Sequence, residues 1–128
     1  MQKSYIWLAL AGVNGFMAVA FGAFAAHGVK VPAVQALLHT GAEYQGMYAI
    51  SGLTCFNMVR NCDFSSPARY AGMLFGVGGL IFGCSLYILA LSGVKLWGVV
   101  TPIGGLMLLA GWAAVVWGAF ARDTPPKP

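Results

Sequence analysis

Charge interrupts this sequence at only ten positions, and the apolar runs between them predict its architecture. The cations are Lys3, Lys30, Arg60, Arg69, Lys95, Arg122 and Lys127, and the anions are Glu43, Asp63 and Asp123. Among them lie uncharged stretches at 5–26, 44–59, 70–92 and 96–121, of 22, 16, 23 and 26 residues. A bilayer's hydrocarbon core of about 30 Å takes about 20 helical residues rising about 1.5 Å each. Three stretches reach that length alone. The second reaches it by starting near Thr40, which draws Glu43 to the membrane's edge. The pattern therefore predicts an all-α membrane protein with four transmembrane helices at about 5–26, 41–59, 70–92 and 101–121. These form one domain over 1–121, followed by an irregular tail at 122–128.

The first stretch has a rival reading as a cleavable signal peptide, with Lys3 as its basic end and Ala23-Phe24-Ala25 as a small-x-small site. Its 22 uncharged residues exceed the usual apolar region of about 7–15, which favours a helix of the mature protein.

Four spans place both termini and the link between helices two and three on one side. That side holds Lys3, Arg60, Arg69, Arg122 and Lys127, and the other holds Lys30 and Lys95. The bias of basic residues towards the cytoplasm makes both termini cytoplasmic.

Between helices one and two, Pro32 suits a first helical position, and Val34, Leu37 and Leu38 fall at i, i+3, i+4. With Gly41 placed to end the turn, this predicts a short amphipathic helix lying on the outer interface. The link 60–69, with Asn61, Asp63, Ser65, Ser66 and Pro67, reads as a polar turn. Thr101-Pro102 reads as an N-cap and first helical residue, with a longer helix kinked at Pro102 as the alternative.

Glycine sets how such helices meet, because lipid gives them little apolar drive to associate and small residues permit close packing. Gly72, Gly76, Gly79 and Gly83 recur at i, i+4, i+7, i+11 in helix three. Gly12, Gly15 and Gly22 in helix one, and Gly111, Ala114 and Gly118 in helix four, form similar stripes. A tight Gly-rich bundle follows, without a wide aqueous pore in one subunit.

Composition agrees with the pattern. The chain is 59% hydrophobic and 8% charged, with a mean hydropathy of +0.78. Soluble domains average about 45–50% apolar and about 25% charged residues, so a soluble domain and a disordered chain are both excluded.

Several strings resemble the YgdD/YwdK-type family of small multi-pass inner-membrane proteins, a domain of unknown function. They are Gly22-Ala-Phe-Ala-Ala-His27-Gly28, Thr40-Gly-Ala-Glu-Tyr44-Gln45, Gly83-Cys-Ser85-Leu-Tyr87 with Leu91-Ser92-Gly93, and Thr101-Pro102-Ile103-Gly104-Gly105 with Gly111-Trp112. The match is collinear up to Phe120. One departure is Met47-Tyr48, where the family pattern usually carries a Tyr-His pair. The resemblance implies a four-helix bacterial inner-membrane protein with no settled activity.

Few residues offer chemistry. The predicted topology gathers His27, His39, Glu43, Tyr44, Gln45, Lys95 and Thr101 near the outer face. Glu43 is the one acid within reach of hydrocarbon, and an ionisable group there takes a partner, with His27 and Lys30 in position. The cluster reads either as a proton-linked or ligand site or as a polar closure of the bundle's end. His27 otherwise caps helix one. Two histidines near one face do not bracket a haem, and no metal-ligand motif is present, so no cofactor and no metal are expected. Cys55, Cys62 and Cys84 are expected as free thiols. Asn14, in the middle of helix one, needs a partner across the bundle, with Ser51, Thr54 and Ser85 in reach. Trp7, Trp97, Tyr5 and Tyr70 suit interface anchoring. No basic run supports nucleic-acid binding.

The expected function is non-enzymatic: an accessory, interaction or organising subunit whose partners are the lipid bilayer and other membrane proteins or its own copies. The alternative is a carrier or channel for protons, small solutes or lipids, using Glu43, His27 and Asn14. An enzyme ranks last, since no nucleophile–base pair is visible.

Overall fold

A computed structural model describes the backbone of residues 2–61 and 65–121 and the side chains of 5–60 and 67–120. The described chain is all-helical, with α1 (Gln2–His27), α2 (Pro32–Asn61), α3 (Ser65–Ser92) and α4 (Trp97–Ala121). Three segments are long and apolar enough to cross a membrane: Tyr5–His27, Pro67–Ser92 and Trp97–Phe120. The polar residues of α2 keep it below that threshold. The expectations for Cys62 and Asp63 and for the tail 122–128 fall outside the described residues.

The separate interfacial helix is corrected. Pro32 does open a helix, but that helix continues through Gly41 for 30 residues, about 45 Å. A glycine inside a helix costs only about 1 kcal/mol relative to alanine, and tertiary packing outweighs it here. Leu38 is fully buried and, with Val34 and Leu37, packs against Ala25, Tyr87 and Ala90. The amphipathic stripe therefore faces α1 and α3. Gln35 Nε2 also donates to the Ala25 carbonyl (2.7 Å), satisfying one of the acceptors left open at the end of α1.

Other helix ends differ as well. The expected polar link 60–69 shrinks, because α2 runs through Asn61 and α3 begins at Ser65. Pro67 then sits in a first turn, where its missing N–H costs nothing. Gly93, at φ 72°, closes α3, and its N–H donates to the Leu89 carbonyl (2.9 Å). α4 starts at Trp97, ahead of the expected cap, and holds Pro102 inside it. Its opening turn is tight: the N–H groups of Trp97, Gly98 and Val99 reach back three residues to Val94, Lys95 and Leu96.

The helices pack in series, α1 on α2, α2 on α3 and α3 on α4, with a lighter contact between α1 and α3. The α3–α4 approach is close because Gly104 has no side chain. A Cβ there would lie 2.6 Å from the Phe82 backbone nitrogen. The core joins Tyr48, Cys55, Ala71, Phe75, Leu108 and Ala114. Outside it, Phe16, Val19, Ile50, Leu106 and Phe120 are each more than 60% exposed. An outer surface that apolar suits lipid, and the chain is a multi-pass membrane protein.

Candidate functional site

The most polar interior point joins α1, α2 and α3. The Tyr87 hydroxyl donates to Gln45 Oε1 (2.6 Å), and Gln45 Nε2 donates to Asn14 Oδ1 (2.8 Å). Asn14 Nδ2 then donates to the Gly76 carbonyl (3.0 Å). A second Gln45 contact runs from Nε2 to the Met17 sulfur (3.7 Å). Asn14 and Gln45 are fully buried, and Tyr87 is 2% exposed. Every bond in this chain points the same way, from Tyr87 towards Gly76. The order fixes both amides, since flipping either would set donor against donor or acceptor against acceptor. Aligned bonds polarise one another in a low-dielectric interior, so the chain is stronger than its separate links.

Glycines create the room for these side chains. α2 and α3 run antiparallel, and each carries a glycine four residues before a polar residue: Gly41 before Gln45, and Gly83 before Tyr87. The pairs interlock. The Tyr87 ring covers Gly41, and the Gln45 side chain covers Gly83. A Cβ at Gly41 would lie 2.6 Å from Tyr87 Cε1, and one at Gly83 would lie 2.6 Å from Gln45 Cδ. Phe21 of α1 stacks on the Tyr87 ring, with ring centroids 3.9 Å apart.

Two further side-chain bonds tie α4 to its neighbours. Trp112 Nε1 donates to the Tyr48 hydroxyl (2.8 Å), linking α4 to α2. The Ser85 and Thr101 hydroxyls lie 2.7 Å apart, linking α3 to α4. Ser85 also donates to the Phe82 carbonyl (2.9 Å). Among the described residues no buried side-chain nitrogen or oxygen lacks a partner.

The sequence-predicted cluster separates into distinct places. Asn14 and Gln45 meet in the core, and Thr101 joins Ser85 at the α3–α4 contact. Tyr44 is partly exposed and lies against Phe82, with centroids 4.9 Å apart. Glu43 pairs with His39 one turn earlier on its own helix, Nε2 to Oε1 at 2.8 Å, with both side chains more than 60% exposed. This replaces the expected pairing with His27 or Lys30. His27 is exposed at the end of α1, where Gln35, not His27, meets the Ala25 carbonyl. The partners proposed for Asn14 are corrected too. Ser51 and Thr54 donate to their own helix, at the Met47 and Ile50 carbonyls (3.0 Å each). Ser85 is engaged with Phe82 and Thr101. Tyr87, Tyr48 and Trp112 are the participants that residue-by-residue reading missed. The reciprocal glycine spacing is the signal that marks Tyr87. Cys55 and Cys84 are free thiols.

The family profile described as "Protein of unknown function (DUF423)" matches residues 21–105, a segment that includes Gln45, Gly76 and Tyr87. The chain is 40% identical over 123 residues to the UPF0382 inner membrane protein YgdD of Escherichia coli (strain K12), covering 92% of each. It is 39% identical over 126 residues to a UPF0382 membrane protein of Haemophilus influenzae, covering 94% of this chain and 96% of that one. A UPF0382 membrane protein of Staphylococcus saprophyticus is 35% identical over 117 residues, 90% of this chain and 97% of that one. No solved structure matches the chain.

Proposed function

The chain belongs to the DUF423 family, and from that premise we propose that it is a non-catalytic inner-membrane scaffold that organises or accompanies other membrane components. One observation carries this reading: the buried amides of Asn14 and Gln45 are committed to each other, to Tyr87 and to the α3 backbone. Polar groups so engaged hold helices together, and their full burial keeps them out of a substrate's reach. The carrier alternative, through Glu43, His27 and Asn14, has less support, since Asn14 is sealed in the core while Glu43 and His27 are exposed. Those groups do not line one passage.

In this reading α2 is the fourth span. Its Gln45 is sheltered by α1 and α3, and its outward hydroxyls, Ser51 and Thr54, bond back to carbonyls of their own helix. Both devices make a polar helix tolerable in lipid. The His39–Glu43 pair then marks the level where α2 leaves hydrocarbon, and residues 32–39 extend α2 beyond it. The excess of basic residues at the Arg60–Arg69 end orients both termini towards the cytoplasm. Glycine contacts such as Gly104 on Phe82 hold a compact bundle, whose outer apolar faces meet lipid, other membrane proteins or sister copies.

The test is purification of the full chain in mild detergent, with mass, visible spectrum and co-purifying proteins recorded together. A stoichiometric complex without a cofactor band supports the scaffold reading. A monomer with a visible chromophore, or one that turns over a small solute in proteoliposomes, overturns it.

A further inference from the structure

At the end of the molecule opposite His39 and Glu43, α1, α2 and α3 border a shallow cleft that opens outward. Its walls are Trp7 from α1, Cys55, Phe56 and Val59 from α2, and Ala68 from α3. Gly52 and Gly72 thin its floor, where a Cβ on Gly72 would lie 3.1 Å from the Cys55 Cβ. This apolar cleft also has a cationic rim, because Arg69 lines it. Arg60 stands beside it. The Arg60 Nη1 donates to the Tyr5 hydroxyl (2.5 Å), and its guanidinium lies 5.8 Å from the centroid of Phe56, a wall residue. Among the described residues neither guanidinium is paired with a carboxylate.

We propose that this cleft is a binding site for one anionic phospholipid, with an acyl chain against Trp7, Phe56 and Val59 and the headgroup phosphate on Arg69. The chemistry is complementary at both ends. A planar guanidinium presents paired N–H donors that match phosphate oxygens, and basic pockets between transmembrane helices attract anionic headgroups. Trp7 and Tyr5 are residue types that settle at headgroup level, which places the rim where the phosphate lies. Arg60, held by Tyr5, adds a second fixed charge. The site needs the membrane setting, but neither the scaffold role nor a particular orientation of the termini.

The test is native mass spectrometry of the detergent-purified full chain titrated with dioleoyl-phosphatidylglycerol or dioleoyl-phosphatidylcholine. The first phosphatidylglycerol binds at a concentration about fivefold lower than phosphatidylcholine. Arg69→Gln removes that preference while circular dichroism shows unchanged helicity, and Lys95→Gln, at the other end, leaves the preference intact. Glycerol 3-phosphate, which carries the phosphate without chains, does not displace the lipid at matched concentration. Equal affinity for the two lipids overturns the proposal, as does a preference that survives Arg69→Gln. Displacement by glycerol phosphate, or a lipid-insensitive dimer covering the cleft, overturns it equally. Failure of the scaffold reading would show instead as turnover or a chromophore, with lipid preference unaffected.

Discussion

Replacing Gln45 by methionine keeps the length of the side chain and deletes the amide at the centre of the polar chain. Two strong contacts disappear, to Asn14 at 2.8 Å and from Tyr87 at 2.6 Å. At the average of about 0.6 kcal/mol for a hydrogen bond in a membrane bundle, that loss would be about 1.2 kcal/mol. The structure argues for more, since Asn14 Oδ1 and the Tyr87 hydroxyl are left unpaired in residues no more than 2% exposed. Stranding a buried polar group costs about 1–3 kcal/mol, so Gln45→Met is expected to destabilise by about 2 kcal/mol or more. Asn14→Leu should then cost less in the Gln45→Met background than alone, because part of its partner is already gone. The expected coupling is about 1 kcal/mol. Reversible unfolding in dodecyl maltoside titrated with dodecyl sulfate, followed by tryptophan fluorescence and circular dichroism, measures all four corners of the cycle. Additivity within about 0.3 kcal/mol would refute the linked chain, and so would a single-mutant cost below about 0.5 kcal/mol.

Three further outcomes follow from the same geometry. Gly41→Ala sets a Cβ 2.6 Å from the Tyr87 ring and is expected to cost about 1–3 kcal/mol in the same assay, whereas Gly98→Ala, with its nearest neighbour 3.7 Å away, is tolerated. Glu43→Gln breaks only an exposed pair and should change stability by less than about 0.5 kcal/mol. A C-terminal alkaline phosphatase fusion should be inactive, and a C-terminal fluorescent-protein fusion should be bright; the opposite pattern would reverse the proposed orientation.

The helices were readable because ten charges mark most of their ends, and Pro32 opens α2 as its position suggests. Gly41 misled for a physical reason: a glycine near polar residues looks like a terminator, but packing of Val34, Leu37 and Leu38 carries the helix past it, and the Tyr87 ring explains why the position is glycine. Asn14 was identifiable as a buried amide in need of a partner, but the choice of partner was not. Serines and threonines within a helix can bond back to its own carbonyls, which withdrew Ser51 and Thr54 from the competition. Gln45 and Glu43 are close in sequence, yet two helical residues turn by about 200°, so one faces the core and the other faces outward. Grouping them by membrane depth alone merged an interior bond chain with an exposed pair. Tyr87 carries no polar context of its own in an apolar run. Its place becomes legible only when Gly41–Gln45 and Gly83–Tyr87 are laid antiparallel.

The central claim is that the Asn14 and Gln45 amides form a sealed structural joint, not a water-exposed site. Side-chain amide exchange measures it directly, by nuclear magnetic resonance on the ¹⁵N-labelled protein in micelles after transfer to deuterated buffer. The account predicts that both side-chain NH₂ signals persist as long as those of core backbone amides, and that Gln45→Met shortens the lifetime of the Asn14 signal. Loss of both wild-type signals within the first spectrum would contradict it.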